Sequence, residues 1–194
     1  METMTSNRHS RPYLVIDLEA TCDDLGSIPR EQTEIIEIGA VLVDATTLAP
    51  TAEWQTFVRP IRHEQLTPFC TRLTSITQAQ VDGAPTFAVA IAGLEKFVRG
   101  LEPLFCSWGD YDKNQLARDA ARHGVRLPLG PDHWNLKRAF AEKGGETRKL
   151  GLGQMLARLG LRFEGTAHRG IDDARNIARV LPFLLGKRPM PGCA

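Results

Sequence analysis

The sequence lacks several features that would point to other classes of protein. It has no apolar run of transmembrane length, and residues 1–11 are polar, without the apolar core of an export signal. The four cysteines have neither CxxC nor zinc-site spacing, so we expect free thiols in a reducing compartment such as the cytoplasm. There is no low-complexity tract, and 194 residues suffice for one α/β domain with a sizeable core.

The sequence also has little net charge, +1, which by itself says nothing about nucleic acid binding. Lys and Arg number 12 against 18 Asp and Glu over residues 1–136, and 12 against 5 over residues 137–194. The basic C-terminal part can face a polyanionic substrate. The alternative is an ordinary asymmetry in which the charges are spread over several faces.

Apolar periodicity predicts a mixed sheet covered by helices. The strand-like segments are residues 13–21, 34–44, 54–58 and 104–108. The helical segments are residues 86–100, 112–123, 136–142, 152–159 and 171–185. Segments with little regular pattern are residues 22–33, 61–82 and 162–170. Pro182 should bend or fray the last helix. Residues 1–11 are expected to be a flexible N-terminus and residues 186–194 a disordered tail.

The first strand runs into two carboxylates. Asp17 and Glu19 follow a run of apolar residues at spacing i, i+2, so their side chains leave the same face of the strand. Two ionised carboxylates there repel each other unless a positive charge lies between them, and a hard divalent cation fits that need. The alternative is a strand that reaches the protein surface, with its polar residues at the solvent-exposed end. Further ligands elsewhere would favour the metal site.

Two later segments supply candidates for those ligands. Asp110 and Asp112 lie where a short strand leads into a helix. The alternative for Asp112 is a helix cap, and for Asp110 a solvated loop residue. His168 stands on a glycine-containing loop five residues before Asp173, which lies in the first turn of a helix. A histidine beside a carboxylate metal site is the group that a hydrolase needs to deprotonate water.

Together these residues resemble the DEDDh 3′→5′ exonucleases, a proofreading-exonuclease-like group with a ribonuclease H-like fold. The patterns that carry the resemblance are Asp17-x-Glu19, Tyr111-Asp112-x-x-x-Leu116 and His168-x-x-x-x-Asp173. Other segments resemble the branch containing the exoribonucleases that trim histone messenger RNA ends and small interfering RNAs. These segments are residues 16–22, 34–40, 57–60, 73–77 and 168–173. The resemblance covers residues 12–185.

The resemblance implies a five-stranded mixed sheet flanked by helices, in a single exonuclease domain over residues 12–185. An aromatic residue directly precedes the third acid in this group, which selects Asp112 over Asp110. Two Mg²⁺ or Mn²⁺ ions are implied, with a histidine general base. The implied ion ligands and base are Asp17, Glu19, Asp112, Asp173 and His168.

The implied activity releases nucleoside 5′-monophosphates from the 3′ end of single-stranded RNA. The alternatives are the same chemistry on single-stranded DNA and a non-catalytic module that binds nucleic acid. We expect the backbone of Ala20 and Thr21 to contact the terminal hydroxyls. Phe69, Leu73 and Tyr111 are expected to pack against the last bases, since stacking needs no particular base. Ordinary core packing is the alternative for these three side chains.

Overall fold

In the part of the chain that the structure describes, five strands form one mixed sheet. The structure, a computed structural model, describes residues 11–145 and 150–191. The strands are β1 (Tyr13–Ala20), β2 (Ile35–Val43), β3 (Pro50–Phe57), β4 (Leu104–Ser107) and β5 (His133–Asn135). Their order is β3-β2-β1-β4-β5, antiparallel from β3 to β1 and parallel from β1 to β5. The predicted five-stranded mixed sheet is confirmed.

Helices cover both faces of this sheet. They are α1 (Pro68–Thr74), α2 (Gln78–Asp82), α3 (Phe87–Phe97), α4 (Tyr111–His123), α5 (Leu136–Gly144), α6 (Leu152–Arg158), α7 (Gly170–Ala178) and α8 (Leu181–Leu184). Tyr13 and Val15 of β1 pack with α5 to α8, whereas Leu14 and Ile16 pack with α3 and α4. Because successive strand side chains alternate, β1 is buried on both faces. Among the described residues, no helix combines the length and apolarity needed to cross a bilayer.

The elements that the sequence analysis missed are short. The segment predicted to be irregular, residues 61–82, contains α1 and α2, of seven and five residues. Such helices are too short to show an apolar period, and side-chain caps at Thr67 and Thr77 specify their starts instead. β5 has three residues and forms by pairing with β4. β3 begins at Pro50, earlier than the predicted residue 54.

The helix predicted over residues 171–185 is divided into α7 and α8. Pro182 is the second residue of α8, and its ring nitrogen cannot donate the hydrogen bond that would continue α7. Beyond α8, Met190 is 8% exposed and packs in the core, so the chain does not leave the domain at residue 186 as expected. Of residues 1–11, the structure describes Arg11, which pairs with Asp132 at 2.7 Å. The remaining residues of the predicted flexible ends, 1–10 and 192–194, lie outside the described part.

A close approach between β2 and α7 positions the start of that helix. A Cβ atom added at Gly39 would lie 2.2 Å from the carbonyl carbon of Gly170 and 2.2 Å from the amide nitrogen of Ile171. A Cβ added at Gly170 would lie 3.0 Å from the carbonyl oxygen of Asp17. The first turn of α7 therefore rests directly on the backbones of β1 and β2.

We predict that Gly39→Ala destabilises the protein by about 3 kcal/mol or more, because the added methyl group must displace the backbone of α7. Gly153→Ala is a suitable control: Gly153 lies in α6 with no atom within 4 Å of an added Cβ. That control should gain about 0.5–1 kcal/mol from alanine's higher helix propensity. Urea unfolding measures both changes. Equal stability of Gly39→Ala and wild type would contradict the close contact.

Candidate active site

Three carboxylates meet near the end of β1. Oxygen atoms of Asp17, Glu19 and Asp173 all lie within 4.8 Å of one another. Asp17 and Glu19 project from one face of β1, as their spacing predicts, and Asp173 lies in the first turn of α7 on that face. Glu19 and Asp173 are both buried. The Gly39–Gly170 contact therefore brings an acid from a distant part of the sequence to the pair on β1.

Asp112 approaches from the neighbouring edge of β1. The pairing of β1 with β4 extends to Val15 and Cys106, and further along the strand the amide of Leu18 donates to Asp112 Oδ1 at 3.2 Å. Asp112 is buried, whereas the side chain of Asp110 is 57% exposed and points toward His133, at 3.9 Å. The structure thus brings Asp112, and not Asp110, to the strand that carries Asp17 and Glu19.

Burial and mutual repulsion raise the pKa of all four carboxyl groups. Desolvation is the largest cause for each, and repulsion from neighbouring carboxylates adds to it. The pKa rises to about 8 for Glu19, about 7 for Asp112 and about 6 for Asp173, and it is also well above its usual range for Asp17. The charge of His168 opposes the rise at Asp173. A cluster with these properties favours a bound cation over four separate negative charges.

His168 lies at the rim of this cluster. It is exposed and has a φ of 60°, in the left-handed region that few side chains other than glycine adopt readily. The next residue is anchored to the cluster, because the amide of Arg169 donates to Asp173 Oδ2 at 3.1 Å. His168 therefore lies on a solvent-accessible turn just before α7, near enough to Asp173 for its charge to act on that carboxyl group.

Glu37, a further acid, is completely buried beside the cluster and lies opposite Glu19 in the β1–β2 pairing. It accepts hydrogen bonds from Arg169 Nε at 3.1 Å, Arg169 Nη2 at 3.2 Å, the Gly170 amide at 3.0 Å and Gln55 Nε2 at 3.1 Å. Glu37 was given no role from the sequence. The available signal was an acidic residue in the middle of an otherwise apolar strand.

The residues expected to contact the terminal hydroxyls lie at the end of β1. Thr21 is 1% exposed, its amide donates to Glu34 O at 2.8 Å, and its hydroxyl oxygen accepts from the Glu34 amide at 2.9 Å. The carbonyl oxygen of Ala20 accepts from Cys70 Sγ at 3.7 Å. These bonds fix the end of the strand inside the fold. They also use the amide and hydroxyl of Thr21, so its contact with substrate stays a prediction.

The side chains expected to pack against bases come from α1 and α4. Phe69 and Leu73 are one helical turn apart on α1, which the Cys70 thiol joins to the end of β1. Leu73 is 36% exposed and Phe69 is partly exposed. Tyr111 is the first residue of α4 and is also partly exposed; burial raises its pKa to about 12, which keeps the phenol neutral. These three side chains keep accessible surface instead of filling the core.

The sequence matches the exonuclease family, RNase_T, over residues 14–181. ERI1 exoribonuclease 3 of Mus musculus is 34% identical over 182 residues, which cover 89% of this chain and 53% of that protein. The chain thus spans about half the length of this relative.

Solved structures of similar proteins share the fold. The nuclease domain of 3′hExo, described as a DEDDh family member bound to rAMP, has a TM-score of 0.84 and 30% identity, with 94% of each chain covered. A 3′-exonuclease with 3′-end-specific recognition of the histone mRNA stem-loop has a TM-score of 0.83 and 29% identity, covering 91% of this chain and 64% of that one. From the acidic cluster, the fold and these matches, we conclude that the chain belongs to the exonuclease (RNase_T) family, in its DEDDh group.

Proposed function

We propose that this chain is a metal-dependent 3′→5′ exoribonuclease that releases nucleoside 5′-monophosphates from single-stranded RNA. The observation that carries the proposal is the convergence of Asp17, Glu19 and Asp173 within 4.8 Å in a member of the exonuclease family. The preference for RNA is supported by the exoribonuclease name of the murine relative and by the rAMP bound to the 3′hExo domain. Free thiols at Cys22, Cys70 and Cys106 fit the reducing compartment expected for it, the cytoplasm.

The proposed ligands of two Mg²⁺ or Mn²⁺ ions are Asp17, Glu19, Asp112 and Asp173. The donor set fits such ions, because it consists of carboxylate oxygens, which hard divalent cations prefer over softer ligands. The raised pKa values fit as well, since a bound cation relieves the repulsion that causes part of the rise. When bound, the ions lower the pKa of the attacking water and stabilise the leaving 3′-oxygen.

His168 is proposed as the general base that takes a proton from the attacking water. Its exposed position at the rim of the acidic cluster suits a group that must exchange protons with solvent in each turnover. Asp173 accepts a hydrogen bond from the Arg169 amide and so anchors the residue that follows His168. Phe69, Leu73 and Tyr111 are proposed to hold the terminal bases, and Ala20 and Thr21 the terminal hydroxyls.

We predict that the purified chain with Mn²⁺ or Mg²⁺ shortens single-stranded RNA from its 3′ end and releases nucleoside 5′-monophosphates. Matched RNA and DNA oligonucleotides of one sequence, labelled at the 5′ end, measure the direction of degradation and the preference for RNA over DNA. Asp17→Ala should abolish turnover while its circular dichroism spectrum stays that of wild type, because removing one acid relieves repulsion. Faster cleavage of DNA would favour the DNA alternative. Binding without cleavage of either strand would favour the non-catalytic module.

We predict that His168→Ala lowers kcat by about 10²–10⁴-fold, the usual contribution of a positioned general base. Mn²⁺ binding, measured by calorimetry, should stay within about twofold of wild type, because His168 is not among the proposed ligands. Loss of Mn²⁺ binding in this variant would instead assign His168 to the metal site.

We predict that, in the absence of divalent ions, the free energy of unfolding decreases as the pH rises from about 4 to about 8. The folded pKa values, about 6 for Asp173, about 7 for Asp112 and about 8 for Glu19, exceed the values near 4 of exposed carboxyl groups. The folded chain therefore binds more protons than the unfolded chain in this range, and the free energy of unfolding decreases as those protons leave. Urea unfolding in EDTA measures the decrease, and excess Mg²⁺ should remove it. A decrease as steep in Glu19→Gln as in wild type would contradict this origin.

A further inference from the structure

Glu37 is a buried acid to which the proposed reaction gives no step. It lies on β2 with no exposed surface, next to the acids proposed to hold metal. Burying a carboxylate without partners is very unfavourable, so its surroundings indicate what it does. Its hydrogen-bond donors are the Arg169 guanidinium, the Gly170 amide and the Gln55 side chain.

Both oxygens of Glu37 are used by protein donors. Oε2 accepts from Arg169 Nε and from the Gly170 amide, and Oε1 accepts from Arg169 Nη2 and from Gln55 Nε2. A bidentate pair with a guanidinium is among the strongest hydrogen-bonded contacts of a carboxylate and fixes the geometry of both groups. The hydrogen-bonding capacity of Glu37 is thus used by Arg169, Gly170 and Gln55, although Glu37 lies directly opposite Glu19 in the β1–β2 pairing.

Most of these donors belong to the junction between the His168 turn and α7. Arg169 occupies the N-cap position of α7 and makes no side-chain capping bond of its own. Gly170 is the first residue of the helix, where the amide has no acceptor within the helix. Glu37 supplies this cap from a different element, with its negative charge at the positive end of the helix dipole.

The position of His168 depends on this junction. Its left-handed backbone leads directly into Arg169, whose amide is held by Asp173 and whose guanidinium is held by Glu37. The same guanidinium lies over the ring of Phe57, at 5.2 Å from its centroid. The imidazole of His168 is exposed, so its orientation depends on the next residue, Arg169, which is held in place.

We propose that Glu37 is a positioning residue, which holds Arg169 and Gly170 so that His168 stays within reach of the reacting water. Glu37 touches neither substrate nor the reacting atoms in this assignment. The inference rests on the proposed function, since it requires His168 to act as the general base.

The chain offers a matched control for loss of an ion pair between α7 and the sheet. Arg175 of α7 pairs with Glu53 of β3, at 2.6 Å, on the solvent-facing side. Glu53→Gln therefore breaks a carboxylate–guanidinium pair on the same helix without touching the junction at Gly170. A general loosening of α7 would affect both variants, whereas the proposal predicts an effect of Glu37→Gln alone.

The test compares Glu37→Gln and Glu53→Gln in the wild-type chain and in the His168→Ala chain. We expect Glu37→Gln to lower kcat for RNA by about tenfold or more, with KM and Mn²⁺ affinity within about twofold of wild type. In the His168→Ala chain the same substitution should change kcat by less than about twofold, because the group that it positions is already absent. Glu53→Gln should leave kcat unchanged in both chains.

A readout independent of activity uses the metal-free protein. Hydrogen–deuterium exchange in the peptide covering residues 166–171 should become at least several-fold faster in Glu37→Gln and stay unchanged in Glu53→Gln. Arg169→Gln, which keeps the Gly170 bond but removes the guanidinium, is the second variant if Glu37→Gln does not fold. It should show the same kcat loss and the same dependence on His168.

Three outcomes would overturn the inference alone. They are full activity of Glu37→Gln, an equal loss of kcat with and without His168, and a loss of Mn²⁺ affinity that accounts for the lower rate. Each of these leaves the exonuclease proposal intact. A wild-type chain that cleaves no RNA, or a fully active His168→Ala chain, would instead refute the proposed function and this inference together.

Discussion

The backbone contact between Gly39 and Gly170 is the constraint on which the rest of the structure depends. A Cβ atom added at Gly39 would lie 2.2 Å from backbone atoms of α7, so no side chain fits there and α7 begins directly against the centre of the sheet. This start places Asp173 against Asp17 and Glu19, and it places the His168 turn at their rim. The pair of glycines therefore determines the geometry of the candidate site as well as the packing of the helix.

The same contact brings mutually repelling carboxyl groups together, and the surrounding residues offset this repulsion only in part. Four acids with raised pKa values are held together at the end of β1, where each is destabilised by burial and by its neighbours. Glu37, immediately beside them, is instead neutralised by Arg169 and caps α7. Two kinds of buried carboxylate thus lie side by side: one kind is satisfied by the protein, and the other is suited to external cations.

The sequence predicted the sheet and pointed to the acids, because both depend on local patterns; the role of those acids as metal ligands stays a prediction. The apolar run before Asp17, and the aromatic residue before Asp112, are visible without coordinates. The resemblance selected Asp112 over Asp110, and the structure brings that residue to β1 through the Leu18 amide. Short elements such as β5 and α2 were missed because pairing and capping, rather than periodicity, specify them. Glu37 was missed because its partners are distant in sequence.

The proposed chemistry requires the four acids to act together as one site for cations. Crystals soaked with Mn²⁺ and a nucleoside 5′-monophosphate test this directly through anomalous scattering. We expect two manganese peaks surrounded by Asp17, Glu19, Asp112 and Asp173, with the phosphate between the ions and the His168 turn. Manganese bound elsewhere, or no manganese at these carboxylates in crystals that contain the nucleotide, would contradict it.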